Sequence, residues 1–477
     1  LKRGEQHYIR IDKFVFEGFG LGVLSPDHQE VPEGMENFKF FVRFAYPGDI
    51  VRVEVTKVKK NYAEAEVREI IAASTHRTEA PCPYFTRCGG CKQQDLDYTQ
   101  QVAFKQQQVE ELFQPLRETH DFTIEQVLPS QHIFRYRNKM EFSFSEVRWL
   151  PLERLATNPE EKEQLTLGFH PPRGFNNVMQ IDACWLQPET GNTILQYTWD
   201  FFAKRKATVY NSKTESGFLR NLVIRQAAVT GEIMVNLVTS SRDESLMREF
   251  TSGLLSAVPG ITTVINNINT RKAMVATGEF EFTDHGNSYI IDSIGKPHFR
   301  ISANSFFQTN TIQAEHLYQT ALDFAGFTGN EIVYDLYCGA GSISLFINHA
   351  VQAVYGLELV ESAVNDANEN KKLNAAENVH FFASDLYKSF IPLTEAHQLP
   401  APEVIIVDPP RNGMHKNTIE DILAILPPKI VYVSCNPATQ VRDIQLLEGA
   451  YKLVKIKPVD MFPHTYHIEN VALLVRK

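Results

Sequence analysis

Three residues near the end of the chain could do covalent chemistry together. Asp408 closes the apolar run EVIIVDPP, Cys435 closes KIVYVSCNP, and Glu469 opens the last run, ENVALL. In doubly wound sheets the carboxyl ends of strands are where ligands are bound and acted on. A thiol placed there can add, as a thiolate, to an electron-poor ring carbon. A carboxylate beside it can then take a proton from a ring carbon. Pro409 and Pro410 fix the loop after Asp408 and remove two backbone donors. Asn436-Pro437 stops the strand behind Cys435. His464 and His467 form an H-x-x-H pair, but no third ligand has compatible spacing, which argues against zinc there.

A second set of residues reads as a nucleoside site. DLYCGAGSISL begins where an apolar run ends and opens a helical stretch. Gly339 and Gly341 would allow a tight turn and close approach of a ligand to the backbone. Glu358 ends the next apolar run, where a carboxylate can accept both ribose hydroxyls. Asp385 follows the third run, where the base would lie. The loop lacks both G-x-G-x-x-G and G-x-x-x-x-G-K-[ST], which disfavours NAD and ATP. S-adenosylmethionine fits the remaining pattern.

Six cysteines are present, and three of them, Cys82, Cys88 and Cys91, fall within ten residues of a Pro/Gly-rich segment. In a reducing compartment this suggests a metal site with separate thiols rather than bridges. Four thiolates could hold zinc or an iron–sulfur cluster. In FRYRNKMEFSFS the alternation predicts that Arg135, Arg137 and Lys139 share one strand face, a strip suited to phosphates.

The elements that must position these groups follow from pattern and composition. The chain has 477 residues, a formal charge of −10, 43% hydrophobic and 22% charged residues. That is an ordinary folded composition and excludes disordered, collagen-like and disulfide-scaffold classes. No run reaches membrane-span length, and LKRGEQHYIRIDKF has no signal-peptide core, so a cytoplasmic protein is expected. Nothing points to a membrane or an obligate protein partner. Residues 1–72 read as five short strands of a small OB-like β-barrel. Residues 73–300 read as a mixed α+β region, with a helix near 97–116 that could pack on the last domain. Residues 301–477 give seven apolar runs alternating with helical stretches. This is an α/β Rossmann-like sheet covered on both faces, with an antiparallel edge.

FFQTN, DLYCGAGSISL, VDPPR, VSCNPATQ and FPHTYHIE occur in the order seen in the RNA uracil-C5 methyltransferase family, which the chain resembles over most of its length. The resemblance implies a class I methyltransferase domain and S-adenosylmethionine as methyl donor. It implies Cys435 as nucleophile, Glu469 as base, and Asp408 as a group that orients the base or supports the adduct. Gln308, Tyr337, Gly339 and Glu358 would contact the donor, and Phe306 the RNA. The N-terminal barrel resembles a TRAM domain, and Cys82, Cys88, Cys91 and Cys184 look like the [4Fe-4S] ligands of the bacterial 23S ribosomal RNA branch. Rival readings are the same chemistry on transfer RNA, an adenine or glutamine amino-group methyltransferase, and an RNA-binding protein without turnover.

Overall fold

The computed structural model describes residues 1–150, 164–172 and 177–477. Most of the acidic NPEEKEQ stretch, which lies before Cys184 in the sequence, falls outside the described residues. Strands β1 (Gln6–Val15), β2 (Phe19–Leu24), β3 (Lys39–Arg43), β4 (Ile50–Val58) and β5 (Tyr62–Ala72) close into a barrel in the order β1-β2-β3-β5-β4. Alternate residues such as Ile9, Ile11, Val51, Val53 and Val55 fill its interior, as period-two patterning requires. Gly22 lies where a Cβ would stand 2.1 Å from the Arg10 carbonyl, so the β1–β2 pair closes only with glycine there.

Helix α1 (Tyr98–Phe113) follows, capped by the Asp97 side chain, which accepts from the Thr99 N–H. It packs against the barrel through Phe14 and Phe104, whose ring centroids are 5.4 Å apart. The two-residue strand β6 (Thr123–Ile124) then leaves the middle segment altogether and pairs with a strand near the C-terminus.

The central domain is a seven-stranded sheet of β7 (Lys139–Ser145), β8 (Thr166–Phe169), β9 (Met179–Gln180), β10 (Leu219–Gln226), β11 (Ile233–Thr239), β12 (Ile261–Ile268) and β13 (Phe280–His285). The neighbours β10 and β11, read from GFLRNLVIRQAA and GEIMVNLVTS, pair antiparallel. Helices α2 (Glu189–Lys204) and α3 (Glu244–Ala257) bury Phe201, Phe202 and Phe250 against the sheet. A ribbon of β14 (Tyr289–Ser293) and β15 (His298–Ser302) leads to helix α4 (Thr311–Ala325).

The last domain is built on β16 (Ile332–Leu336), β17 (Ala353–Glu358), β18 (Val379–Ala383), β19 (Val404–Val407), β20 (Lys429–Ser434), β21 (Tyr451–Val459) and β22 (Glu469–Arg476). With β6 these form one sheet in the order β18-β17-β16-β19-β20-β22-β21-β6. The first five strands are parallel, and β22 is antiparallel to both β20 and β21. Every residue of β16 and β19 is buried, which explains their unbroken apolar character. Helix α5 (Ser342–Ile347) follows the glycine loop, and α6 (Glu361–Leu373), α7 (Ile391–Ala396), α8 (Lys416–Ile425) and α9 (Pro437–Leu447) complete the layers. Helix α1 packs on α9 and β21, so it belongs to this body as much as to the barrel.

One expectation is corrected. Arg135, Arg137 and Lys139 do not share a strand face, because β7 begins only at Lys139. Arg135 has φ +58°, a left-handed conformation that breaks any extended run. Its guanidinium donates to the carbonyls of Cys184 and Gln187, both at 2.9 Å, and pairs with Glu189. Arg135 is therefore spent on holding the turn that carries Cys184.

Candidate active site

The carboxyl ends of β16, β17, β19 and β20 open onto a cavity of about 950 Å³. Gln308, Tyr337, Gly339, Glu358, Asp408, Cys435 and Glu469 all line it. The loop after β16 turns through left-handed backbone at Tyr337 (φ +65°), Gly339 (φ +54°) and Gly341 (φ +80°). The two glycines differ. A Cβ on Gly339 would meet nothing within 4 Å, so that face is open to a ligand. A Cβ on Gly341 would stand 2.4 Å from the Phe381 ring, so Gly341 serves the packing of loop against sheet. Glu358 accepts from the Gly339 N–H at 3.0 Å and the Val360 N–H at 2.9 Å, which fixes its carboxylate at the cavity edge.

Asp385 follows β18 beside the cavity. Its carboxylate accepts from the Tyr387 N–H at 3.1 Å and pairs with Lys388, while Leu386 and Tyr387 supply the cavity wall. Two lining residues carry no local sequence signal: Glu281 from β13 and Asp366 from α6. Only the fold brings them to the cavity.

The groups around Cys435 are acid-rich. Burial, and then the nearby Asp335, pushes the Asp408 carboxyl up to about 7. Burial, with Asp408 adding, holds the Glu469 carboxyl well above the usual carboxylate range. Burial pushes the Cys435 thiol up to about 12, with Glu469 and Asp408 adding to it and Arg411 opposing. Its charged neighbours in the free protein are thus Glu469, Asp408 and Arg411, and the balance favours the thiol over the thiolate. A carboxyl with raised proton affinity is suited to finish a reaction holding a proton.

A second cavity, of about 630 Å³, adjoins the first. Phe306, Phe307, Arg411 and Phe462 line both. Phe306 is 71% exposed, a flat apolar surface at their junction. Arg137 and Lys139 face the second cavity, Lys139 paired with Glu141. Cys82, Cys88, Cys91 and Cys184 also line it. Gln94 donates to the Cys91 sulfur at 3.0 Å and the Gly90 N–H to that of Cys88 at 3.4 Å. Among the described residues, however, no three His, Cys, Asp or Glu side chains are gathered as a metal ion requires. The donor set, four thiols on one cavity with amide donors to two of them, is chemically suited to thiolate ligation of zinc or of an iron–sulfur cluster.

His464 stacks on Phe134 with centroids 4.3 Å apart, and burial pushes the imidazoles of His464 and His467 down to about 4.

A Rossmann-like sheet with a glycine loop and a ribose-ready carboxylate defines an S-adenosylmethionine-dependent methyltransferase. Comparison with known proteins agrees. Residues 290–477 match the tRNA (Uracil-5-)-methyltransferase family model and residues 8–67 the TRAM domain model. The chain is 42% identical over 435 residues to an uncharacterized RNA methyltransferase of Chlorobaculum tepidum, covering 90% of each chain. It is 38% identical to one of Bacteroides thetaiotaomicron, over 91% of this chain and 96% of the other. The crystal structure of Pyrococcus abyssi tRNA (uracil-54, C5)-methyltransferase in complex with S-adenosyl-L-homocysteine superposes with a TM-score of 0.72 at 26% identity, over 98% of this chain and 100% of that one. The chain belongs to this family of RNA methyltransferases and carries an N-terminal TRAM barrel. No helix among the described residues is long and apolar enough to cross a membrane.

Proposed function

We propose that the protein methylates C5 of a uridine in RNA through a covalent adduct, with S-adenosylmethionine as donor. The observation that carries this is one cavity lined at once by Cys435, Glu469 and Asp408 and by the donor-side groups Gln308, Gly339 and Glu358. C5 of uracil is a weak nucleophile. Bonding of the Cys435 thiolate to C6 shifts the C5=C6 electron pair toward C5 and O4. C5 then displaces the sulfonium methyl, releasing neutral S-adenosylhomocysteine. The Glu469 carboxylate takes the C5 proton, the C–H pair restores C5=C6, and the C6–S bond breaks to return the thiolate. One difficult step becomes several easier ones. Asp408 holds the base or the adduct. The uridine must be unpaired or flipped out to enter, and Phe306 offers a stacking surface for RNA at the mouth, with Arg137 and Lys139 beyond it for phosphate.

The cysteines Cys82, Cys88, Cys91 and Cys184 would hold a [4Fe-4S] cluster. When bound, it would tie the loop of the first three to the turn of the fourth. Broad visible absorption in anaerobically purified protein is the expected sign, and zinc without that absorption overturns it. Ribosomal RNA is the substrate we favour, on the combination of TRAM barrel and four-cysteine set. Transfer RNA is the second reading, favoured by the likeness to the Pyrococcus enzyme. Mapping 5-methyluridine in both RNAs from a deletion strain separates them.

The chemistry is tested by two variants. Cys435→Ala should lose methyl transfer by at least a thousandfold. Glu469→Gln should form a methylated, denaturant-resistant protein–RNA adduct that persists. Full activity in the first variant, or no adduct in the second, removes the corresponding role.

A further inference from the structure

The chain reaches Glu469 through residues 460–468, a stretch of turns and bends. At its apex His464 has φ +64°, which costs a residue other than glycine about 1–2 kcal/mol. Something must hold it there. Its N–H donates to Oε1 of Gln101 at 2.9 Å, and its Nδ1 lies 3.2 Å from Nε2 of the same side chain. Its carbonyl accepts from the N–H groups of Lys92, at 2.8 Å, and Gln93, at 3.1 Å, in the loop that carries Cys91. Gln101 Nε2 also donates to the carbonyls of Gln93 and Leu96, both at 2.9 Å. Gln101 is wholly buried in α1. A buried amide is tolerated only when it is hydrogen-bonded, and this one bonds both sides of a joint. Other anchors hold the segment before His464: Lys105 pairs with Asp460 at 2.6 Å and donates to the Phe462 carbonyl at 3.3 Å, Asn310 donates to the Met461 carbonyl at 2.9 Å, and Tyr136 to the Pro463 carbonyl at 3.1 Å.

We infer that Gln101 is a positioning residue for proton removal by Glu469, locking the left-handed His464 turn to the Cys91 loop five residues upstream of the carboxylate. The inference rests on Glu469 being the base. Without the clamp His464 relaxes toward ordinary backbone, and the start of β22 shifts with it. Displacement of a catalytic group by about 1 Å can cost up to a hundredfold in rate. The step affected is the last one: C5–H to carboxylate, restoration of C5=C6, and loss of the sulfur from C6. Donor binding and methyl transfer use other residues and are left alone.

The test uses the full chain, RNA isolated from a strain lacking the gene, and methyl-labelled donor in single turnover. Gln101→Met keeps the volume and removes the hydrogen bonds. It should bind S-adenosylhomocysteine within about twofold of the parent and load methyl onto RNA within about threefold, while the labelled adduct decays at least tenfold more slowly. Gln101→Glu, which keeps an acceptor for the His464 N–H, should lie between. Should Gln101→Met not fold, Gln101→Glu decides on the same readout. Parental decay of the adduct in a folded Gln101 variant, with persistence in Glu469→Gln, overturns the inference. Absence of adduct in Glu469→Gln overturns the assignment of the base, and this inference with it.

Discussion

At the scale of single residues, the thiol we propose as nucleophile is hard to ionise. A thiol held near 12 by burial, Glu469 and Asp408 is almost wholly protonated at neutral pH, so its reactive fraction grows about tenfold with each pH unit. Alkylation of the Cys435 peptide by iodoacetamide, followed by mass spectrometry, should therefore rise log-linearly from pH 7 to 10 with no plateau. A plateau near pH 8 would mean an ordinary thiol. The sign of the carboxyl effect is also testable. Removing a negative neighbour lowers the thiol, so Glu469→Gln should be alkylated faster than the parent at pH 9. The sequence showed Cys435, Glu469 and Asp408 as candidates because each ends or begins an apolar run. It did not show their mutual effect, because the order of strands, not their spacing, brings three acidic groups to one cavity.

At the scale of elements, the strand–loop–helix unit after β16 separates two uses of glycine that look alike in DLYCGAGSISL. Gly339→Ala meets no atom within 4 Å and pays only the left-handed backbone cost, about 1–2 kcal/mol. Gly339 lines the cavity, so a methyl group there should lower affinity for S-adenosylhomocysteine at least tenfold with a small fall in Tm. Gly341→Ala adds a clash with Phe381 and should cost stability more heavily, about 3 kcal/mol in denaturant unfolding. Equal effects of the two substitutions on Tm would refute the distinction. The central C-terminal strands β16 and β19 were legible because both faces are covered and their apolar runs are continuous. Strand β6 was not: two residues, Thr123 and Ile124, take their place only by pairing with Lys455 and Ile456 of β21. Arg135 likewise followed the alternating pattern in sequence, and its turn is set by carbonyls some fifty residues away around Cys184.

At the scale of the whole molecule, barrel, cysteine loop and catalytic body meet at polar joints as well as through the apolar cluster of Phe14, Tyr46, Leu96 and Phe104. Arg77 is the clearest polar joint. Its guanidinium donates to Asp49 of the barrel at 2.8 and 2.9 Å, to the Phe44 carbonyl at 2.8 Å, and to Asp95 at the start of the α1 segment, and it lies 4.7 Å from the centroid of the Tyr46 ring. Asp49 is wholly buried, and Tyr46 in turn donates to Asp95. Removing the cation strands two carboxylates that water reaches poorly, a loss of about 3 kcal/mol or more for a buried pair broken on one side. The turn between β1 and β2 adds a contact to the catalytic side, where Gly18 lies so close to Tyr466 that a Cβ would stand 2.9 Å from its ring. The barrel is thus registered against the segment that leads to Glu469, and loosening it should affect RNA handling more than donor binding. Arg77→Met is expected to open residues 73–81 to limited proteolysis and to weaken RNA binding at least tenfold, while S-adenosylhomocysteine affinity stays within about twofold. Arg77→Lys, which keeps the charge but cannot span the same partners, should fall between. If Arg77→Met resists protease like the parent and binds RNA equally well, the barrel is held by its apolar contact with α1, and the polar joint is incidental.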